Sequence, residues 1–388
     1  MKSDAHVGIA GAGLLGRLLA WRLLEKGCRV SLYEAGSLTL PKSAAHTAAG
    51  MVAPISEAID TEPLMYQMGV AALDIWPQWL SELSAVDNID EVTYNTEGSL
   101  VVAHPKDHSL LTQYIRDMEQ LLPQEAQGSL LNRDQLYELE PDIGEYFRQG
   151  LWLTREAHID NRSLLTVLLK RIQALGCRCF EHTSVSVSEN RLTINNHTVE
   201  KFDLVLDCRG VGARDLKTET GKDSKKTQPQ IRGVRGEVLR VAADEVTLKR
   251  PIRLLHPRYQ LYVVPAADHQ FIIGATQIES DDSSPVSVQS CMELCSALYT
   301  INSAFAEARI IELSANLRPA LNDNRPCVVW DRGLAHINGL YRHGYLLAPI
   351  VVSHVLSALF DEKNTLSQPF ADLLDHFIHG SDYADSIH

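Results

Sequence analysis

Three glycines near the start of the chain have a spacing that can hold a phosphate group. Gly11, Gly13 and Gly16 form the pattern G-x-G-x-x-G between a short apolar run, His6 to Ala10, and a stretch with helical periodicity, Leu14 to Lys26. Free backbone N–H groups and the helix dipole at such a turn can bind a pyrophosphate. The pattern therefore predicts a strand, a glycine turn and a helix that together bind a dinucleotide.

A single carboxylate after the second predicted strand supports the same interpretation. Glu34 comes directly after the run Arg29 to Tyr33, where an acidic side chain can hydrogen-bond a ribose diol. A carboxylate there would repel a phosphorylated ribose, so NADP is disfavoured, whereas FAD and NAD both remain open. The alternative is a glycine turn that only packs a helix closely on a sheet. The agreement of strand, glycines, helix and Glu34 favours the nucleotide site.

The elements around this site alternate between helices and strands, as expected for an α/β protein. Periodicity predicts helices over Tyr66–Leu83, Leu110–Leu121, Asn161–Leu175, Val286–Asn302 and Leu346–Phe360. Apolar runs predict strands over Cys177–Phe180, Val185–Val187, Leu192–Ile194, Leu204–Asp207, Gly236–Val241, Leu261–Val264 and Phe271–Ile273. The charged stretch Leu216 to Gln230 has no apolar period, so we interpret it as a surface crossing between two domains.

Length and composition indicate a globular protein with more than one domain. The chain has 388 residues, of which 45% are hydrophobic and 22% charged, and a single core stops growing below this length. Its net charge of -13 repels nucleic acids and anionic lipids, so neither is expected as a partner. The apolar stretch Leu14 to Leu24 contains Arg17 and Arg22. No membrane span or signal peptide is therefore expected, and the protein is predicted to be cytoplasmic.

The seven cysteines of the chain have no framework spacing and are interpreted as reduced thiols. Cys177 and Cys179 lie two residues apart, and Cys291 and Cys295 share one face of a predicted helix. No histidine completes a ligand set with either pair. No metal site is therefore predicted.

Four further motifs are AHTAAGMVAP from Ala45, DLVLDCRG from Asp203, the pair YVVP from Tyr262 and GAT from Gly274, and the pair LRP from Leu317 and YRHGYLLAP from Tyr341. Together they resemble those of the D-amino-acid oxidase family of flavoproteins, most closely its glycine oxidases of the thiamine pathway. Their order and spacing match the family along most of the chain. Within these motifs, Asp207-Cys208-Arg209 departs from the commoner Ala-Thr or Ala-Ala ending, and His343 stands where Asn is usual.

The resemblance implies an α/β fold with two domains. One is a Rossmann-like FAD-binding domain of the glutathione-reductase type, and the other is a substrate domain built on an antiparallel or mixed sheet. The FAD-binding domain is expected to be discontinuous, with residues 1–75, 150–215 and 316–365. Residues 76–149 and 216–315 would form the substrate domain, and residues 366–388 a C-terminal tail.

The resemblance also implies that the nucleotide is FAD, held noncovalently. Small side chains let a backbone approach a flat ring, and the N-terminus of the helix after Gly344 would stabilise negative charge on a reduced flavin. The residues expected to bind FAD are Gly11, Ala12, Gly13, Leu14, Gly16, Glu34, Ala48, Ala49, Gly50, Met51, Val185, Gly210, Arg342, His343, Gly344, Tyr345 and Leu346.

Three side chains are expected to line the substrate site by the same resemblance. Arg318 matches the family's carboxylate-binding arginine, whose planar fork suits a carboxylate, and Tyr262 matches a tyrosine of the same site. Arg342 resembles an arginine at the active-site rim. No protein base is needed on the α-carbon, so positioning supplies most of the catalysis. Gln277 stands where glycine oxidases often carry a hydrophobic residue, which leaves the substrate open.

The implied reaction is the oxidation of a small amino acid by molecular oxygen. Glycine would give iminoacetate and hydrogen peroxide, and hydrolysis would then give glyoxylate and ammonia. One alternative is another D-amino acid or an N-methyl amino acid, with oxygen or another electron acceptor. A second is a flavin-dependent maturation or accessory protein that acts on a partner protein. The sequence is compatible with a homo-oligomer.

Overall fold

The computed structural model describes residues 1–85, 92–124, 128–214, 230–257, 260–360 and 368–377. The predicted surface crossing between Leu216 and Gln230 lies outside the described residues, apart from Gln230 itself. In the described residues the helices are α1 (Leu14–Glu25), α2 (Ala44–Thr47), α3 (Pro54–Glu57), α4 (Pro63–Ser84), α5 (His108–Leu121), α6 (Arg133–Leu139), α7 (Pro141–Gly144), α8 (Asn161–Ala174), α9 (Val288–Ile301), α10 (Gly344–Phe360) and α11 (Ala371–Leu374).

The strands of the described residues form two large and two small sheets. They are β1 (His6–Ala10), β2 (Arg29–Tyr33), β3 (Met51–Val52), β4 (Tyr94–Asn95), β5 (Ser99–Ala103), β6 (Ser129–Asn132), β7 (Gln149–Leu153), β8 (Ala157–Ile159), β9 (Arg178–Phe180), β10 (Val185–Ser188), β11 (Arg191–Ile194), β12 (Thr198–Lys201), β13 (Leu204–Asp207), β14 (Arg232–Ala242), β15 (Ile252–Leu255), β16 (Gln260–Pro265), β17 (Gln270–Gly274), β18 (Arg309–Ala320), β19 (Cys327–Asp331), β20 (Leu334–Asn338) and β21 (Asp375–Phe377).

A seven-stranded sheet, which we call the nucleotide sheet, has the order β21-β19-β20-β13-β1-β2-β9. β1 pairs in parallel with β13 and β2, and β13 pairs in parallel with β20, whereas β19 runs antiparallel to β20. Parallel strands end at the same edge of a sheet, which is where open α/β sheets bind ligands. The glycine turn after β1, Glu34 after β2 and Arg209 after β13 therefore meet at this edge.

The two faces of the nucleotide sheet are covered by different layers. Residues of α1, α4, α8 and α10 pack on one face, with Leu18, Trp76 and Val351 among the buried side chains. The small sheet β10-β11-β12 packs on the other, where Val185 and Leu192 join the core. Both faces are apolar because a parallel sheet is buried on both sides.

An eight-stranded sheet, which we call the substrate sheet, has the order β18-β14-β17-β16-β15-β5-β7-β6. Its neighbours pair antiparallel except β15 and β5, which are parallel, so the sheet is mixed. Leu294 and Leu298 of α9 pack with Leu239 and Ile273 of this sheet. A nucleotide sheet with helices and a separate mixed sheet are the architecture that the sequence predicted.

The predicted domain boundaries do not coincide with the ends of elements. α4 crosses the predicted boundary at residue 75, and β18 crosses the one at residue 316 while belonging entirely to the substrate sheet. β21, within the predicted tail, pairs in parallel with β19 of the nucleotide sheet. The division of the chain into domains stays a prediction.

Other predicted elements are found close to their expected positions. α10 begins at Gly344, two residues before the predicted start, and α8 begins at Asn161 with the Asp160 side chain accepting from the N–H groups of Arg162 and Ser163. Among the described residues, no helix is both long and apolar enough to cross a membrane. The same part of the chain has no cluster of three or more His, Cys, Asp or Glu side chains placed to hold a metal ion.

Candidate active site

A cavity of about 950 Å³ is lined by residues of both the nucleotide sheet and the substrate sheet. Its volume lies at the upper end of the range for ligand sites, as a dinucleotide requires. The predicted site residues in its lining are Gly11, Gly13, Leu14, Glu34, Ala48, Ala49, Gly50, Met51, Gly210, Tyr262, Arg318, Arg342, Gly344 and Tyr345. The other predicted residues, Ala12, Gly16, Val185, His343 and Leu346, are not part of the lining.

The glycine turn leaves no room for a side chain at Gly11 or Gly16. Gly11 has φ +95, and a Cβ there would lie 2.7 Å from the carbonyl oxygen of Cys208. A Cβ on Gly16 would lie 1.9 Å from the carbonyl oxygen of Gly11, so Gly16 serves the close packing of α1 rather than the wall. Gly13 caps α1 without a side-chain hydrogen bond. The first N–H groups of the helix are thus available to a phosphate at the cavity.

Glu34 is held beside this turn by backbone donors. Its Oε2 accepts from the N–H of Ala12 at 2.8 Å, and its Oε1 accepts from the N–H of Gly36 at 3.0 Å. The carboxylate lines the cavity next to the glycine turn, in the position that hydrogen-bonds a ribose. The glycine turn, the helix end and Glu34 together fit the diphosphate and ribose of FAD.

The segment from Ala45 to Pro54, which we call the small-residue loop, approaches the cavity with its backbone. Gly50 has φ +71, and a Cβ there would lie 2.0 Å from the carbonyl oxygen of Ile159, so only glycine fits. The N–H of Ile159 donates to the carbonyl oxygen of Gly50 at 2.9 Å, which fixes the loop against β8. Ala48, Ala49 and Met51 flank this point and line the cavity. This wall can lie against a flat ring.

The N-terminal end of α10 reaches the same cavity through Gly344 and Tyr345. The Tyr345 hydroxyl donates to the carbonyl oxygen of Ala45 at 3.0 Å, and the Trp76 Nε1–H donates to the carbonyl oxygen of Tyr345 at 2.8 Å. The first bond fixes the start of α10 relative to the small-residue loop, and the second fixes it relative to α4. Leu346 points away into the core, where it contacts Gly69 of α4.

His343 does not line the cavity, although its neighbours Arg342 and Gly344 do. Its side chain is buried, and its Nδ1 lies 3.7 Å from the Glu57 carboxylate. Burial lowers the pKa of His343 to about 4, and the nearby carboxylate does not offset this. Its carbonyl oxygen accepts from the N–H of Leu347 at 2.8 Å. His343 is therefore a buried, neutral residue whose main chain joins the first turn of α10.

Arg318 lies over β14 at a position where that strand has no side chain. A Cβ on Gly236 would lie 2.4 Å from the Arg318 Cζ. The Nη1 of Arg318 donates to the carbonyl oxygens of Thr276 at 3.1 Å and Arg235 at 3.4 Å. In the described part of the chain no carboxylate pairs with this guanidinium. Arg318 thus brings an uncompensated positive charge to the wall of the cavity.

Tyr262 faces Arg318 from β16. Its register partner on β17 is Gly274, where a Cβ would lie 2.9 Å from the Tyr262 hydroxyl oxygen, so the missing side chain makes room for the ring. Burial raises the pKa of Tyr262, although the charge of Arg318 acts against that shift. The hydroxyl therefore keeps its proton and can donate it to an anion in the cavity.

Arg342 is compensated by carboxylates that the sequence analysis did not identify. Its Nη2 lies 2.7 Å from Glu57 and 3.2 Å from Asp60, and its Nη1 donates to the Gln277 amide oxygen at 3.3 Å. Burial alone would lower the pKa of Arg342, but Glu57 and Asp60 raise it. The cation at the rim is therefore already paired.

Glu57 has a second cationic partner, Arg253 of β15. Burial alone would raise the pKa of Glu57, but Arg342 and Arg253 hold it well below its usual range. Both Glu57 and Arg253 line the cavity. The signal that could have revealed Arg253 is its place inside the apolar run of β15, where a buried charge needs a partner.

The end of β13 carries a third group of charges at the opposite end of the cavity. Asp207 is fully buried and receives the Nε–H and Nη2–H of Arg209 at 2.7 and 2.9 Å. His336 Nδ1 lies 2.9 Å from Asp207 Oδ2, the oxygen that also accepts from Arg209 Nη2. Arg209 Nη1 donates to the carbonyl oxygen of Val185 at 3.0 Å, so Val185 contacts this arginine behind the wall.

Comparison with known proteins agrees with this geometry. A model of the family described as FAD dependent oxidoreductase matches residues 6–358. A thiamine biosynthesis oxidoreductase, ThiO, of Rhizobium etli is 35% identical over 355 residues, which cover 92% of this chain and 96% of that protein. A glycine oxidase of Bacillus licheniformis is 26% identical across 88% of this chain and 89% of its own. The crystal structure of iminodiacetate oxidase from Chelativorans sp. BNC1 has a TM-score of 0.80 at 19% identity, covering 96% of this chain and 100% of that one.

The chain belongs to the FAD dependent oxidoreductase family. It is an FAD-dependent enzyme related to ThiO and to glycine oxidases, which confirms the predicted family and cofactor. The structural likeness at 19% identity supports the fold. The roles of the individual site residues and the noncovalent attachment of FAD stay predictions.

Proposed function

We propose that this flavoenzyme oxidises a small amino acid at the carbon beside its amine, and that glycine is the substrate. The observation that carries the proposal is the state of Arg318. Its guanidinium lines the cavity, and its hydrogen bonds go to two main-chain carbonyl oxygens rather than to a carboxylate. A small amino acid brings the carboxylate that this cation needs.

The charges around Arg318 favour a substrate with a single carboxylate. Arg253 and Arg342 share the carboxylates of Glu57 and Asp60, which leaves Arg318 as the cation in excess within this group. A desolvated charge is costly unless it is paired. One substrate carboxylate would complete the pairing, whereas an amine substrate without a carboxylate would leave the charge of Arg318 uncompensated.

FAD supplies the hydride acceptor when it is bound. The planar fork of Arg318 would bind both carboxylate oxygens of the substrate, and the Tyr262 hydroxyl would donate to one of them. A carboxylate held at these points would fix the α-carbon relative to the wall formed by residues 48–51. A neutral amine on that carbon can drive hydride transfer without a protein base, so positioning is the main contribution of these residues.

The relatives support glycine as the amino acid. One of them is a glycine oxidase, and the relative with 35% identity is a thiamine biosynthesis oxidoreductase. A second candidate is an N-substituted glycine, and one residue favours it. Gln277 lines the cavity as a polar side chain bound to Arg342, so the wall there offers a hydrogen bond to a polar substituent on the substrate nitrogen, such as the second carboxylate of iminodiacetate, but not to the methyl group of sarcosine.

A peroxide-coupled screen of the purified protein tests the proposal. The substrates are glycine, sarcosine, iminodiacetate and a series of D-amino acids, with a redox dye in parallel to detect an electron acceptor other than oxygen. We expect the highest kcat/KM for glycine. A higher value for sarcosine or iminodiacetate would establish the second candidate instead. A yellow protein that turns over no free amino acid with either acceptor would contradict the proposal and favour an accessory protein.

A further inference from the structure

Arg209 at the end of β13 is a charged residue in the cavity lining that the proposed chemistry does not use. Its side chain is 17% exposed, whereas the Asp207 side chain that pairs with it is 0% exposed. Burial alone would raise the pKa of Asp207, but Arg209 and His336 hold it well below its usual range. The carboxylate is therefore ionised and fixes the guanidinium in one orientation.

The edge of this guanidinium is occupied by protein acceptors. Nε and Nη2 donate to the two oxygens of Asp207, and Nη1 donates to the carbonyl oxygen of Val185 on β10. The positive charge is compensated by Asp207 as well, so Arg209 has little attraction left for a phosphate. Arg209 lines the cavity, so a bound ligand can contact it, and guanidinium faces stack on aromatic rings.

The position of Arg209 identifies which part of a dinucleotide it can meet. A Cβ on Gly11 would lie 2.8 Å from the Arg209 Cα, so Arg209 borders the glycine turn directly. Glu34, which is placed to bind a ribose, borders the same turn from the β2 side. Arg318 and Tyr262 belong to the substrate sheet at the other end of the cavity. Arg209 therefore lies at the adenosine end.

We propose that Arg209 stacks its guanidinium face on the adenine ring of FAD, and that Asp207 positions it for that contact. This inference rests on the FAD-binding family and not on the identity of the amino acid that is oxidised. It gives a role to Asp207-Cys208-Arg209, the segment at which this chain departs from the ending that the family resemblance implies. The buried Asp207 carboxylate accepts two hydrogen bonds from Arg209 and so fixes the plane of its guanidinium.

FAD affinity, measured by flavin fluorescence during titration of the protein, tests this proposal. Cation–π contacts contribute about 1–2 kcal/mol when they are desolvated, so Arg209→Ala should weaken FAD binding by roughly 5- to 30-fold. Arg209→Lys should weaken it by a similar factor, because a lysine keeps the charge and a link to Asp207 but has no planar face. Thermal unfolding of each variant without added FAD reports folding separately.

His336→Gln is the matched control, because it removes the other partner of Asp207 and His336 is not part of the cavity lining. It should lower the unfolding temperature and leave FAD affinity within about twofold. Arg209→Lys with the FAD affinity of the wild type would show that charge rather than a flat face matters, and would overturn the proposal. A loss of FAD affinity in His336→Gln equal to that in Arg209→Ala would overturn it too, because Arg209 would then act only as a brace of the fold.

Discussion

The two ends of the cavity are lined by different kinds of groups, mainly backbone N–H groups at one end and charged side chains at the other. At the adenosine end, the groups available to a ligand are backbone N–H groups of the glycine turn, the N-terminus of α1 and Glu34, all of which follow β1 or β2 of the nucleotide sheet. At the substrate end, Arg318, Tyr262 and Arg253 come from three strands of the substrate sheet, and Glu57 and Arg342 reach them from elsewhere in the chain.

The difference determines how each end responds to mutation. A backbone site depends on conformations that only certain residues allow, so its weak points are Gly11 and Gly16, where a Cβ would collide with the chain. A site of paired charges depends on balance, so removing one partner leaves the other buried and unpaired. Substitutions at the substrate end should therefore alter substrate affinity while FAD remains bound. Substitutions at the adenosine end should weaken FAD binding and leave substrate affinity unchanged.

The largest effect is expected from Arg318. Truncating one partner of a buried charged pair costs about 2–5 kcal/mol, so Arg318→Ala should weaken glycine binding about 30-fold to several thousand-fold with FAD still bound. Arg318→Lys should restore part of the affinity, because a point charge cannot reproduce the planar fork. Flavin reduction under anaerobic conditions against increasing glycine measures both variants. Half-reduction of Arg318→Ala at the wild-type glycine concentration would mean that the carboxylate is held elsewhere, with Arg342 as the next candidate.

Glu34 tests the other end of the comparison. Losing a hydrogen bond to a charged group costs roughly 1.5–3 kcal/mol, so Glu34→Ala should weaken FAD binding by about one to two orders of magnitude. Once the variant is saturated with FAD, its KM for glycine should equal that of the wild type. A change in the KM for glycine with unchanged FAD affinity would contradict the assignment of FAD binding to one end of the cavity and substrate binding to the other.

Gly236 tests whether Arg318 depends on the space above β14. A Cβ at this position would lie 2.4 Å from the Arg318 Cζ, so Gly236→Ala should displace the guanidinium and raise the KM for glycine by roughly tenfold, about 1.4 kcal/mol. Gly233→Ala in the same strand is the matched control, because its Cβ would meet the ends of the partly buried Arg214 and the exposed Asp281 side chains instead. Equal effects of the two substitutions would show a general disturbance of β14 rather than a specific one.

The smallest effect concerns His343 and pH. Its folded-state pKa of about 4 lies below the usual 6.5, so the unfolded chain binds a proton first and stability falls as the pH drops from 6.5 towards 4. His343→Asn should remove this part of the decline, on the order of 1 kcal/mol at pH 5, and have little effect at pH 7.5. Urea unfolding at the two pH values measures it. An equal stability difference between wild type and variant at both values would show that His343 does not titrate on unfolding.

The same comparison explains what the sequence could reveal. The glycine turn, Glu34 and the start of α10 are local patterns, in which the residue types and the backbone conformation lie within one short segment. The pairing of Glu57 with Arg253 joins residues far apart in the chain, and no local pattern encodes it. The short strands β4 to β8 were not predicted either, because each is stabilised by neighbours in a sheet rather than by its own periodicity. β21 lies in a predicted tail and pairs with β19, which only the folded chain brings near.

The uncompensated charge of Arg318 is the central claim, and ligand binding to the FAD-loaded protein tests it most directly. Glycolate has the carboxylate of glycine without its amine, and glycolamide is a neutral analogue of the same size. Each is titrated into wild type and Arg318→Ala while the flavin absorption spectrum is recorded. We expect glycolate to bind saturably to the wild type, to lose affinity at least 30-fold in Arg318→Ala, and to bind far more tightly than glycolamide. Equal affinities of the wild type for glycolate and glycolamide would contradict the claim that this end of the cavity selects a carboxylate.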